Sequence, residues 1–149
     1  MAESNQNLKD KIETTEIINK LFVYTDNRQW DLLKTMVFTS EVNFDMTSMG
    51  AEKASRLNAE TICRLWDQGF NGLDSIHHQA GNYIIEIHIN KTTVIAYPIA
   101  SHYKSVATKG TTRTFVGSYD LHLLKLKEGW RIDGFKYNLK YSEGNLSLD

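Results

Sequence analysis

The chain has one cysteine and one proline in 149 residues. Cys63 alone cannot form an internal disulfide, nor can it build a multi-cysteine metal site. An excess of either charge is missing too: 17 basic and 18 acidic residues leave a net charge of −1, with no basic stripe. Nucleic acid is therefore not an expected partner. No apolar run approaches the roughly 20 residues of a membrane-spanning helix. The polar start MAESNQNLKDK contains no apolar leader segment. A cytoplasmic protein without a membrane partner is expected. The sequence also has no glycine-rich phosphate loop, no nucleophile elbow and no helix with paired metal-binding histidines. Nothing calls for a cofactor or a metal.

What is present is helices followed by strands. The length suits one domain, 1–149, with a real core, and residues 1–7 read as a flexible tail. Leu8, Ile12, Ile18, Leu21 and Phe22 mark a first helix over about 8–26. Asp26-Asn27 breaks it, because short polar side chains compete for backbone hydrogen bonds. Trp30, Leu33 and Val37 restore helical spacing over about 28–38, and Val42, Phe44 and Met46 then alternate as a first strand over about 41–48. GAEKASRLN reads as an exposed loop over the mouth of the fold. Asn58 is placed to cap a third helix, with Leu57 and Ile62 as a hydrophobic staple. Ile62, Leu65, Trp66 and Phe70 continue that helix until Gly69 to Gly72 end it.

From Asp74 onward the pattern is strands. Gly81 interrupts one alternation and predicts a bulge. Pro98, which cannot donate to a ladder, needs an edge or an irregular position. Turns are expected at Asn90-Lys91, Lys109-Gly110 and Glu128-Gly129. Helices first and hairpins after predict an α+β fold, with the helices on one face of a mainly antiparallel sheet. The late strands are apolar on both faces: Phe115, Tyr119, Leu121 and Leu123 on one side, Val116 and Leu124 on the other. Trp130 and Ile132 oppose Phe135, Tyr137 and Leu139, with a twist or bulge expected at Gly134. A sheet with one wet face alternates more cleanly, so a homodimer through the outer sheet face is expected.

Tyr24 and Asp26 lie near a helix end beside an aromatic anchor, a good place to hold polar groups over a pocket. Asp26 also has the simpler reading of capping the turn. His77 and His78 are strand neighbours, so one of them faces inward whichever register holds. His102 follows the disturbed strand at Pro98, and alternation does not fix its direction. Asp45 points away from the cavity if Val42, Phe44 and Met46 face it, and toward it if a bulge intervenes. Trp66, Phe70 and Tyr119 line either a pocket or plain core.

Four stretches carry a family resemblance: TDNRQWDLL, SIHHQAGN, the strand 97–102, and EGWRIDGFKYNLKYSEGN. Together they resemble the SnoaL-like branch of the nuclear transport factor 2 superfamily, including the scytalone dehydratases. The resemblance implies a cone-shaped α+β barrel, three helices on a curved sheet. It places Asp26 and His78 where the dehydratases hold a catalytic carboxylate and histidine, and His102 close to their second histidine. Thr25 and Met46 stand where scytalone dehydratase has tyrosines that activate water, which argues against scytalone itself. Asp45 falls near the base of ketosteroid isomerase. One function implied is a cofactor-free dehydratase or isomerase acting on a small apolar carbonyl or polycyclic compound. His78, oriented by Asp26, would be the base, and Tyr24 or His102 the donor, with Trp66, Phe70, Asp45 and Tyr119 around the substrate. The other is a non-catalytic module of the same fold that binds a hydrophobic ligand or serves as a dimer platform.

Overall fold

A computed structural model describes residues 2–149, with side chains from residue 4 onward. Helix α1 (Ala2–Asp26) leads through a sharp turn into the single turn α2 (Trp30–Leu32) and a wider π turn, Leu33–Val37. Strand β1 (Phe38–Asp45), a 3-10 turn (Thr47–Met49), β2 (Ser55–Asn58) and helix α3 (Ala59–Gly69) follow. Four long strands complete the chain: β3 (Ser75–His88), β4 (Lys91–Tyr103), β5 (Thr112–Leu126) and β6 (Gly129–Gly144). They form one open six-stranded sheet in the order β2-β1-β6-β5-β4-β3, antiparallel except between β1 and β6. The helices pack on its inner face, α1 across β3 and β6 and α3 across β1 and β2. Among the described residues no helix is long and apolar enough to cross a membrane.

Three expectations need correction. The tail expected over 1–7 is helical from Ala2, while Met1 lies outside the described residues. The second helix is shorter than expected, and β1 begins at Phe38 rather than near residue 41. Part of GAEKASRLN is not loop but strand β2, whose Leu57 pairs with Val42.

Helix α1 buries a stripe that its apolar residues do not fully reveal. Leu8 and Ile12 are 60% and 61% exposed, whereas Asp10 and Thr14 face inward and are buried. Asp10 is tolerated there because it accepts hydrogen bonds from Lys125 Nζ at 2.6 Å and from the buried indole of Trp130 at 3.1 Å. The chain after α1 is tied down in kind. Arg28 donates to the carbonyls of Phe70 and Leu73, and the indole of Trp30 donates to Asp67. Asn58 caps α3, its side chain accepting the Thr61 N–H at 2.8 Å.

The sheet keeps its inner face apolar by two devices. In β4 the inward residues alternate without a break from Thr92 through Pro98 to His102, all buried. Pro98 sits inside the sheet rather than at its edge, where the β4–β5 ladder is interrupted at Tyr97 and Pro98. In β6 a register shift opposite His122 and Leu123 absorbs Asp133. Trp130, Ile132, Phe135 and Tyr137 therefore all face the core. A second shift lies after Gly81, where the sequence predicts it.

Candidate active site

Between α1, α3 and the inner sheet face lies a cavity of about 270 Å³. Trp66, Phe70, Phe115, Tyr119 and Tyr137 give it aromatic walls, and its polar groups include His78, His102 and Arg113. Glycine is required beside it at Gly117. A Cβ there would collide with the Asn138 carbonyl and stand 2.7 Å from the Tyr137 hydroxyl. Burial raises the pKa of the Tyr137 phenol to about 12 and that of Tyr119 further, so both stay protonated near neutral pH.

Helix periodicity and strand alternation meet at the Asp26–His78 pair. Each residue turns an α-helix by about 100°, so Asp26 lies close to the face of Phe22 and Thr25, which line the cavity. On β3, Ile76 and His78 face inward and His77 faces out. One Asp26 oxygen accepts the backbone N–H of His78 at 2.8 Å, and the other meets its Nδ1 at 2.6 Å. The ring also stacks on Phe22, 5.4 Å between centroids. Because a carboxylate only accepts, it fixes the proton on Nδ1 and leaves a lone pair on Nε2. Asp26 borders a separate groove between α1 and β3, not the cavity, while His78 borders both. Nδ1 thus points out of the cavity, and Nε2 is the nitrogen available to an occupant.

His102 is held in the opposite sense. It pairs across the ladder with Ile76, while His78 pairs with Ala100, so the two histidines are diagonal neighbours on one face. Such neighbours stand roughly 7–8 Å apart. The Nε of Arg113 donates to His102 Nδ1 at 3.0 Å, and Phe70 and Phe115 flank the ring. Burial, then the positive charge of Arg113, lowers the pKa of His102 from 6.5 to about 4. At neutral pH it is an uncharged ring.

Two expected site residues lie elsewhere. Tyr24 is about 200° around the helix from Phe22; it packs half-buried against the core and does not line the cavity. Asp45 ends β1 on the far side of the sheet from Phe44, which stacks on Phe135. Its carboxylate accepts the backbone N–H and hydroxyl of Thr47, and these bonds lower its pKa. Asp45 borders a groove on the outer sheet face instead. Trp66, Phe70 and Tyr119 do line the cavity, as do Thr25 and Met46. The Thr25 hydroxyl is spent on the Leu21 carbonyl at 2.6 Å, so it is no substitute for a water-holding tyrosine.

Arg113 and Tyr137 were not among the expected site residues. The signal for Arg113 was parity, since Arg113, Phe115 and Tyr119 share one face of β5. Tyr137 shares parity with Phe135 only beyond the bulge at Asp133. Among the described residues no group of three His, Cys, Asp or Glu side chains is placed to hold a metal ion.

The sequence profile of the SnoaL-like domain matches residues 6–136. The Kfla4162 protein from Kribbella flavida superposes with a TM-score of 0.89 at 22% identity, over 95% of this chain and 97% of that one. A scytalone dehydratase-like protein from Novosphingobium aromaticivorans gives 0.79 at 12% identity, over 95% and 91%. The hexachlorocyclohexane dehydrochlorinase LinA-type3 from Novosphingobium barchaimii gives 0.79 at 10% identity, over 94% and 92%. At these identities the likeness concerns the fold. No curated protein matches the sequence.

Proposed function

We propose that this chain, which belongs to the SnoaL-like domain family within the nuclear transport factor 2-like superfamily, is a cofactor-free lyase or isomerase acting on a small apolar carbonyl compound. The observation that carries the reading is the Asp26–His78 pair, closed at 2.6 Å in the wall of an aromatic cavity. Nε2 of His78 takes a proton from the carbon next to the carbonyl, and the Asp26 carboxylate stabilises the imidazolium that forms. His102, neutral and carrying its proton on Nε2, donates a hydrogen bond to the developing enolate oxygen. In a dehydration the imidazolium then returns its proton to the departing hydroxyl, and water leaves. In an isomerisation the proton goes back to a different carbon. The dehydratase-like and dehydrochlorinase neighbours, both names denoting eliminations, support the first course.

Cavity size narrows the substrate. A protein cavity of about 150 Å³ holds one benzene, so 270 Å³ suits one or two rings better than a larger polycycle. The test is a panel of hydroxy-ketones and cyclic enones, followed in the ultraviolet for gain or shift of a conjugated double bond. At least one compound is expected to be turned over. Saturable binding across the panel without turnover would leave the binding-module reading instead.

A homodimer is part of the same proposal. Ile99 pairs with Val116 and Val116 with Tyr141, a row on the outer face continued by Ile84, Ile95 and Tyr97. Ile84, Ile99 and Tyr141 are each more than half exposed, and monomers rarely leave such a patch in water. Light scattering at micromolar concentration is expected to report a dimer, with Ile99→Glu or Leu124→Glu shifting it to monomer. A stable wild-type monomer would remove the idea.

A further inference from the structure

We propose that Arg113 is a positioning residue that holds His102 as a neutral Nε2–H donor toward the cavity, and that the carbonyl of Leu146 in turn holds Arg113. A guanidinium has five N–H donors and no acceptor. The imidazole nitrogen it meets at 3.0 Å must therefore present a lone pair, and the ring proton must sit on Nε2. The assignment is the mirror of His78, where a carboxylate on Nδ1 frees Nε2 as the acceptor. One inner sheet face thus carries two imidazoles whose Nε2 atoms have opposite roles, fixed by the sign of the partner on Nδ1.

Arg113 is itself pinned. Its Nη1 donates to the Leu146 carbonyl at 2.8 Å, and its guanidinium lies 5.6 Å from the centroid of Phe115. Leu146 cannot drift, because Leu148 is 1% exposed in a small core with Leu73, Ile76 and Ala107. Lys104 Nζ donates to the Leu148 carbonyl at 2.9 Å, and the Asp149 carbonyl accepts the Thr108 N–H at 2.7 Å. The last residues form a strap over the start of β5, and the strap fixes the tautomer of a ring it does not touch. Besides Arg113, burial between Phe70 and Phe115 opposes protonation of His102, as does His78 from β3, while Asp26 from α1 favours it.

This inference rests on the proposed site, but its test needs no substrate. Nitrogen-15 spectra of the histidine rings in the full chain, assigned with His102→Gln, report tautomer and titration directly. The wild type is expected to show His102 as the Nε2–H form with no titration between pH 5 and pH 9, a range well above about 4. Arg113→Met is expected to give a mixture of tautomers and a midpoint shifted upward, and Arg113→Lys to restore the Nε2–H form in part. An Nδ1–H tautomer in the wild type, or no change in Arg113→Met, would overturn the proposal. Should Arg113→Met not fold, the wild-type spectrum decides alone. Once a turned-over compound is known, Arg113→Met is expected to lower kcat roughly 10–100-fold, as loss of an orienting partner does, with KM nearly unchanged. A change confined to KM would make Arg113 a substrate contact instead.

Discussion

His78→Ala is expected to lower turnover roughly 10²–10⁴-fold, the usual range for loss of a general base, while the chain still folds. Folding should survive because part of the Asp26 anchor belongs to the backbone: the His78 N–H donates to Asp26 Oδ2 whatever side chain residue 78 carries. Asp26→Asn is expected to cost nearly as much for a different reason. If the asparagine oxygen keeps the backbone N–H, its amide N–H₂ faces Nδ1 where Asp26 Oδ1 now stands. An N–H donor there drives the ring proton to Nε2 and removes the lone pair from the cavity. The double variant should be little worse than either single one, because groups acting as a unit are not additive. Steady-state kinetics on a compound from the panel decide the matter, with thermal melts as the control for folding. An unchanged rate in His78→Ala would refute the site, and additive losses would refute the pairing.

The Asp26–His78 pair was suggested by the family resemblance rather than by periodicity. The residues alone place Asp26 near a helix end, where it could equally cap the turn, and require only that one of His77 and His78 face inward on a strand. His102 was harder. Pro98 suggested a disturbed strand, yet inward alternation runs through it without a break, since the ladder gap at Tyr97 and Pro98 changes hydrogen bonding and not parity. Tyr24 misled because proximity in sequence to Asp26 is not proximity on a helix surface. Asp45 turned on whether β1 bulges near its end, which residue identities do not reveal. Arg113 enters the site by strand parity, as the ladder partner of His102 on the face of Phe115 and Tyr119, and the Leu146 carbonyl, a contact that residue identities do not reveal, pins it there. In α1 the exposed Leu8 and Ile12 were the visible signal and the buried Asp10 the important residue. A polar group at a core position announces itself only through partners more than a hundred residues away.

Those partners set up the largest effect expected on stability. Trp130→Ala should cost about 3–5 kcal/mol, the range for emptying a buried tryptophan site. That is a large fraction of the roughly 5–15 kcal/mol that holds a domain of this kind together. Trp130 is 1% exposed, packed in the main core, with its indole N–H on Asp10 and Lys125 Nζ 5.6 Å from its ring. Trp130→Phe separates the contributions: most of the apolar contact remains, one hydrogen bond to a charged group is lost, and about 1.5–3 kcal/mol is expected. The pH dependence supplies a second readout. Burial alone would raise the pKa of Asp10, but the hydrogen bonds from Lys125, Gln6 and Trp130 outweigh it and leave the carboxyl below its ordinary 3.8. The unfolded chain therefore takes up this proton first as pH falls. The contribution of Asp10 is complete above the ordinary value and lost as pH drops through the lower folded one. In Trp130→Phe one donor is gone and the folded-state value moves back toward the ordinary one, so the acid loss should be smaller and complete at a higher pH than in the wild type. Trp66→Ala is the comparison. It removes an indole that borders the cavity, so less packing is lost, and it should destabilise less while altering which ring compounds bind. Urea unfolding of the three variants between pH 3 and pH 7 measures the stabilities, and ligand titration of Trp66→Ala measures the change in binding. If Trp130→Ala falls within about 1 kcal/mol of wild type, the Asp10–Trp130 node does not hold α1 to the sheet.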